Sequence, residues 1–341
     1  MLNSVYQLVA PRRFETVFQE IEIQSDNVIV RPTYMSICHA DQRYYQGLRP
    51  AEILAKKLPM ALIHECIGEV IYDVRGEFEI GQSVVLIPNL PVEKDEVVAE
   101  NYLISSRFCS SNRDGFLQDY VSINRSRVIL LPDGVDKEVA AFTELLSVSV
   151  HALIRFDKTA HKRRKIMGIW GDGNLGYITA IFCKIMYPDM KIYIFGVHSE
   201  KLADFTFVDR IFHVNDIPKD VLVDHAFECV GGQACQSVIS QIIDYIQPEG
   251  TIGLMGVSEY PISINTRKVL EKGLRIVGSS RSGRDDFEKT VELYQSHPEL
   301  VNYLRTLVGA KVDIRTITDI TRAFEMDIQK TIGKTILVWD K

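Results

Sequence analysis

KIMGIWGDGNLGYITAIFCKIMY (165–187) is an apolar run, a turn carrying three glycines and a second apolar run that Pro188 ends. KIMGIW (165–170) predicts a buried strand, and YITAIFCKIMY (177–187) predicts a helix stopped by the proline. Between them Gly171, Gly173 and Gly176 form G-x-G-x-x-G. Alone, that spacing is a weak signal. Directly after a strand and directly before a helix it has the context a pyrophosphate needs. That context is a tight turn, close backbone approach and unpaired N–H groups at a helix N-terminus. The bland alternative is three turn glycines in a parallel sheet without a ligand.

Outward from this unit, strands and helices alternate. KIYIFGV (191–197), DRIFHV (209–214), DHAFECV (224–230), TIGLMGV (251–257) and LRIVGSS (274–280) read as five further strands. EKLADF, QSVISQIIDYI (236–246) and DDFEKTVELYQ (285–295) read as helices. Six strands with crossover helices predict an α/β, doubly wound parallel sheet. Before residue 138 the texture differs. VIVRP (28–32), IGEVIYDV (67–74), SVVLIP (83–88) and RVILLPDG (127–134) are short runs between turns, which predicts a β-rich barrel or sandwich. ITRAFEM and KTILVWD near the C-terminus are expected to return to that domain. The division expected is therefore 1–138 completed by 310–341, with 139–309 as the dinucleotide-binding domain.

A chain of 341 residues exceeds what one core usually supports. Its formal charge of −6 argues against nucleic acid or an anionic membrane surface as the main partner. Lys184 interrupts the best apolar run, so no membrane span is expected, and the N-terminus lacks a signal pattern. Six scattered cysteines suit a reducing compartment, and a cytoplasmic location is expected.

The second strand ends in F-G-V-H-S-E-K (195–201). An NAD site usually has a carboxylate there for the ribose 2′-OH. Here His198 holds that position with Ser199 and Lys201 beside it, a set suited to a 2′-phosphate, so NADP(H) is expected. Glu200 complicates the reading if the register shifts by two, and Ser199 is equally an ordinary N-cap.

Cys38 in M-S-I-C-H-A-D, His64 and Glu65 in L-I-H-E-C-I-G-E-V, and Glu144 in T-E-L-L-S-V-S-V-H-A offer the mixed sulfur, nitrogen and oxygen donors that zinc accepts. Neighbours in a regular strand face opposite ways, so His64 and Glu65 share an ion only at a kink. Asp41 and Glu69 are the expected supporting carboxylates. A buried cysteine, a satisfied histidine and surface glutamates would be the bland account. Four protein ligands would close the site, so Glu65 or Glu144 is expected to exchange with water or substrate.

C-x-x-D, H-E, E-x-L-S-V-x-x-H-A, G-x-G-x-x-G and F-E-C-V-G-G stand here in the order seen in zinc-containing medium-chain dehydrogenases, which the whole chain resembles. E-L-L-S-V-S-V-H-A looks like the sorbitol-dehydrogenase branch. CHADQRYYQG (38–47), KLPMALIHE (57–65), MGVSEY (255–260) and the G-S-S-R-S-G-R run from 278 resemble bacterial ribulose-5-phosphate reductases. The resemblance implies a Rossmann domain joined to a GroES-like catalytic domain, NADPH, and zinc ligands at Cys38, His64, Glu65 and Glu144. It also implies reduction of D-ribulose 5-phosphate to D-ribitol 5-phosphate for CDP-ribitol in teichoic acid or capsule synthesis. A cytidylyltransferase would be the functional partner. Relatives carry four close cysteines where 89–115 has only Cys109, so one catalytic zinc and no structural zinc are expected. The alcohol dehydrogenases' relay hydroxyl is replaced by Ala40, so the proton is expected from a glutamate, Tyr44 and water.

Zinc would polarise the keto oxygen as hydride arrives. The two sites are expected to meet where Glu228–Gly231, Met255–Val257 and Gly278–Ser280 end their strands. Arg43, Arg281 and Arg284 are candidate phosphate ligands, against the alternative that each is a surface salt bridge. Relatives pair subunits through the edge formed by 255–265 and 274–280, so a homodimer is expected. The alternatives are a polyol dehydrogenase of unphosphorylated substrates and a metal-free nucleotide-binding relative.

Overall fold

The computed structural model describes residues 1–330 and 332–341. The chain forms two compact units, 1–147 with 282–341, and 148–281. Among the described residues no helix is long and apolar enough to cross a membrane.

The second unit is a six-stranded sheet, parallel throughout. In space the strands run Arg210–His213, Lys191–Gly196, Ile166–Trp170, His225–Glu228, Thr251–Leu254 and Arg275–Gly278. In chain order this is 3-2-1-4-5-6, whose reversal point lies between Ile166–Trp170 and His225–Glu228. The doubly wound sheet expected from the strand and helix alternation is present. Trp170 stacks on Phe195 at 3.8 Å and Phe195 on Phe212 at 5.2 Å, so one aromatic row crosses the first three strands. Helix Cys235–Tyr245 covers that row with Ile239, Ile242 and Ile243. The indole N–H of Trp170 donates to Gln241 at 2.8 Å, so the buried ring leaves no donor unpaired.

The glycine turn fits because side chains are missing from it. Gly171 has φ +133°, and a β-carbon on Gly176 would stand 2.0 Å from the Gly171 carbonyl oxygen. A β-carbon on Gly173 would meet nothing within 4 Å, so the backbone faces open space at the start of helix Asn174–Met186.

The first unit is built on strands Asn27–Ser36, Glu65–Asp73, Ser83–Leu86 and Val128–Leu130, paired antiparallel in that order. The C-terminal strand Lys334–Trp339 lies antiparallel on the other side of Asn27–Ser36, and Val308–Ile314 lies parallel beyond it. The boundaries observed, 147/148 and 281/282, differ from the 138 and 309 expected. Helix Arg284–Ser296 is the cause of the second difference. Its Phe287 and Val291 pack against Ile67, Val85, Ile87 and Ile129 of the first unit's sheet. An apolar helical stripe shows that a helix is buried, not against which sheet.

Phe287 is fully buried in that contact. Phe287→Ala should lower stability by about 3–5 kcal/mol in urea unfolding, as large core truncations do. A loss under about 1 kcal/mol would mean the helix is not anchored there.

Candidate active site

The first cluster starts where strand Asn27–Ser36 ends. Cys38 is the N-cap of helix His39–Tyr45, and its amide donates to the Asp41 carboxylate at 3.2 Å. Asp41 is fully buried and also accepts from the Ile63 amide at 3.1 Å and the Ser110 hydroxyl. Burial pushes its carboxyl up. The adjacent His64 ring and these donors outweigh that and hold it below the usual carboxylate range. Asp41 thus ties the cysteine-bearing turn to the backbone just before His64.

That backbone is kinked. Ile63 has φ +71°, which costs a β-branched residue on the order of 1–3 kcal/mol, and regular strand begins only at Glu65. The kink allows the side chains of His64 and Glu65 to converge instead of alternating. Phe116 and Leu117 hold it by donating their amides to the Ile63 and Leu62 carbonyls at 2.7 and 3.2 Å. Only glycine fits at 115, because a β-carbon there would lie 2.3 Å from the Ile63 oxygen.

The ligand atoms of Cys38, His64 and Glu65 all lie within 4.8 Å of one another. His64 and Glu65 are buried. Nδ1 of His64 faces the Asp41 carboxylate at 3.4 Å, and Oε2 of Glu65 has no hydrogen-bond partner. Buried polar atoms are normally satisfied, so an unpartnered carboxylate oxygen beside a thiol and an imidazole fits a cation. One sulfur, one imidazole and one carboxylate, with room for a fourth group, suit a catalytic zinc. Burial works against protonation of His64, but the Asp41 carboxylate and Cys38 sulfur outweigh it and hold the ring well above its ordinary value in the metal-free chain.

Glu144, in the first turn of helix Thr143–Thr159, lies outside the three-atom cluster but within electrostatic reach of His64 and Glu65. Burial, assisted by the Glu65 and Asp41 charges, pushes its carboxyl up to about 7. Tyr44 is packed in the core, with the Arg49 guanidinium 4.9 Å from its ring centre. Glu69, expected as a supporting carboxylate, instead pairs with Arg31 at 2.9 Å and Lys137 at 3.6 Å. It lies four residues further along the strand than Glu65, at about 3.3 Å per residue, which carries it away from the cluster. Arg284 holds Glu288 at 2.7 Å and the Ser126 carbonyl at 2.6 Å, so it serves as a helix anchor. Arg281, with φ +58°, lies at the last position of the second unit.

Sequence reasoning missed Lys334. Its ammonium donates to Oε1 of Glu65 at 2.7 Å, with both side chains buried. Burial lowers the lysine's affinity for its proton, but Glu65 and Cys38 raise it further, and the net shift is upward. The one signal available was a charged residue leading the apolar run TILVW.

In the second unit a cavity of about 440 Å³ opens along the sheet's reversal point, lined by Gly171, Asp172, Gly173, Gly196, Val197 and His198 at one end and Val214, Val238 and Gln241 at the other. Gly176 packs beneath the turn, while Ser199 and Lys201 sit on the short helix Ser199–Leu202 and do not line the cavity. Asp172, also missed, accepts from the Val197 and His198 amides at 2.7 and 2.8 Å and faces Nδ1 of His198 at 3.1 Å. Burial raises its carboxyl, and those bonds more than reverse the effect. Glu228 is buried and accepts from the Val230, Gly231 and Gly256 amides, which fastens two strand ends beside the cavity.

The Lys334–Glu65 pair gives a direct test. Lys334→Met should destabilise the metal-free chain by about 3–5 kcal/mol, because it strands a buried carboxylate. Adding Glu65→Gln should recover much of that loss in the same denaturation experiment, whereas additive losses would show that the pair is not coupled.

The alcohol dehydrogenase GroES-like domain matches residues 24–133, and the zinc-binding dehydrogenase domain matches residues 197–296. Ribulose-5-phosphate reductase 1 of Staphylococcus aureus is 55% identical over 339 residues, 99% of each chain. The ribulose-5-phosphate reductase of Bacillus spizizenii is 54% identical over 340 residues, 100% of each. The crystal structure of S. aureus TarJ in complex with NADPH superposes with a TM-score of 0.90 at 50% identity, covering 100% of both chains. The chain therefore belongs to the zinc-binding medium-chain dehydrogenases and, within them, to the group of bacterial ribulose-5-phosphate reductases.

Proposed function

We propose that this chain reduces D-ribulose 5-phosphate to D-ribitol 5-phosphate with NADPH at one zinc site. The observation that carries the reading is the convergence of Cys38, His64 and Glu65, with a buried oxygen of Glu65 left without a hydrogen-bond partner, in a chain 55% identical to a ribulose-5-phosphate reductase. When bound, zinc supplies a Lewis acid at the keto oxygen and NADPH supplies the hydride. The protein does the rest. Cys38, His64 and Glu65 hold the ion, with Asp41 fixing the turn that carries Cys38 and Lys334 fixing Glu65. Glu144 is the exchangeable fourth carboxylate. Within electrostatic reach of His64 and Glu65, it would give way to substrate and, once released, relay a proton from water to the sugar's new hydroxyl. Tyr44, with Arg49 over its ring, is the further proton source proposed beside water.

The glycine turn receives the pyrophosphate, and His198 faces the 2′-phosphate. Asp172 fixes the His198 turn in place through its two amides. The proposal includes a cytoplasmic homodimer whose product a cytidylyltransferase converts to CDP-ribitol for teichoic acid or capsule synthesis. Strand Arg275–Gly278 is the sheet's last strand, and exposed Val257 and Tyr260 lie in the segment leading to it, which supports pairing of two copies there.

A kinetic panel tests the reading with ribulose 5-phosphate, ribulose and sorbitol, each with NADPH and NADH. The expected kcat/KM for the phosphorylated sugar exceeds that for ribulose by about 100-fold or more, with NADPH preferred. Equal efficiency with ribulose would favour a dehydrogenase of unphosphorylated polyols.

A further inference from the structure

An NAD site usually places a carboxylate where this chain has His198. Here a carboxylate reaches that point from the glycine turn instead. Asp172 folds over Gly196, where a β-carbon would stand 2.7 Å from its Oδ2. That oxygen accepts from the Val197 and His198 amides at 2.7 and 2.8 Å. Both oxygens also face Nδ1 of His198, Oδ1 at 3.2 Å and Oδ2 at 3.1 Å.

This contact decides where His198 carries its proton. Burial pushes the Asp172 carboxyl up, but the amide and imidazole donors outweigh it and hold the group below the usual range. An ionised carboxylate only accepts, so Nδ1 has to be the protonated nitrogen of the ring. Nε2, at the other end, makes no hydrogen bond among the described residues, and the side chain is 47% exposed at the cavity wall. In the neutral ring Nε2 is therefore a lone pair, and only in the imidazolium is it an N–H. A dianionic 2′-phosphate offers acceptors alone, so it bonds the imidazolium. A ribose 2′-hydroxyl can donate, so it bonds the neutral ring as well.

The neighbouring elements do not supply a second group of this kind. His213, on the adjacent strand, donates from Nε2 to the Val197 carbonyl at 3.2 Å and accepts the Asn215 amide at 3.3 Å, so both its nitrogens are used. Glu200 and Lys201 are the charged residues of the short helix that His198 caps, and side chains of those types ordinarily titrate far from neutrality. Cys229 lines the cavity as a thiol that burial pushes well above its ordinary value. Helix Cys235–Tyr245 contributes the uncharged Ser237, Val238 and Gln241. Among the residues lining the cavity, His198 is the one imidazole.

We propose that Asp172 is a positioning residue for cofactor choice: it locks the His198 proton on Nδ1, so that NADPH is held by the imidazolium and NADH by either form of the ring. This rests on the reading that His198 faces the 2′-phosphate. Binding of NADPH then takes up a proton whenever the free ring is neutral, and the preference for NADPH declines as pH rises.

The test titrates the full-length, zinc-loaded enzyme with NADPH and with NADH by cofactor fluorescence between pH 7 and 9, above the range where a phosphate monoester takes its second proton. Wild-type affinity for NADPH should fall with rising pH, by up to about tenfold per unit, while affinity for NADH stays within about threefold. In weakly buffered solution at pH 8, NADPH binding should draw protons from solvent and NADH binding should not. Asp172→Asn should flatten the NADPH profile, because an amide facing Nδ1 lets the neutral ring carry its proton on Nε2. His198→Arg should keep the preference for NADPH at every pH, since a guanidinium stays charged. A role confined to holding the turn would instead weaken both cofactors alike in Asp172→Asn and leave the slope unchanged. That result, a flat wild-type profile or an equal slope with NADH would overturn the proposal. Should Asp172→Asn not fold, the wild-type slope persisting in His198→Arg would overturn it equally. Failure of the underlying reading would be seen separately, as His198→Gln binding the two cofactors in the wild-type ratio at every pH.

Discussion

The candidate metal site depends on the ion pair between Lys334 and Glu65, 2.7 Å apart and buried. A carboxylate, a thiol and an imidazole held together out of water, with Asp41 and Glu144 nearby, concentrate negative charge that the metal-free chain has to balance. Isolated burial of one such charge would cost several kcal/mol, and pairing with an ammonium removes most of that penalty. The pair also explains a topological feature. The chain's last strand lies beside Asn27–Ser36, and its first residue is Lys334. Glu65 opens the strand on the other side of Asn27–Ser36, so three strands distant in sequence bring the pair together.

Around that pair the protein spends backbone strain on geometry. The left-handed Ile63 turns two adjacent residues toward one point, and Asp41 ties the Cys38 turn to the same kink through hydrogen bonds to both backbone segments. Neither device makes a bond to the ion itself. Each fixes where a ligand atom sits before anything binds, which is how a site gains affinity without needing to reorganise. The dinucleotide cavity follows the same logic, since Glu228 and Asp172 use carboxylates to hold amides of the turns that line it.

What was legible in the sequence was local. The strand, glycine turn and helix at 165–187 could be read because each signal lies within a few residues of the next, and the six strands followed from the same alternation. Cys38, His64 and Glu65 could be nominated by donor chemistry, and the need for a kink between strand neighbours could be stated, but not that Ile63 supplies it. The misassigned elements are long-range. Helix Arg284–Ser296 carries an apolar stripe that fits either sheet, and only the packing of Phe287 decides between them. Glu69 looked like a supporting carboxylate because it lies near Glu65 in sequence, yet it pairs with Arg31 and Lys137. Lys334 was invisible for the opposite reason, since its partner is 269 residues away.

Zinc K-edge X-ray absorption on the purified chain and on Cys38→Ser tests the central claim most directly. The account predicts a single zinc–sulfur distance of about 2.3 Å among nitrogen and oxygen neighbours near 2.0–2.2 Å, with the sulfur contribution lost in the variant. A spectrum without sulfur, or one that Cys38→Ser leaves unchanged, would contradict it.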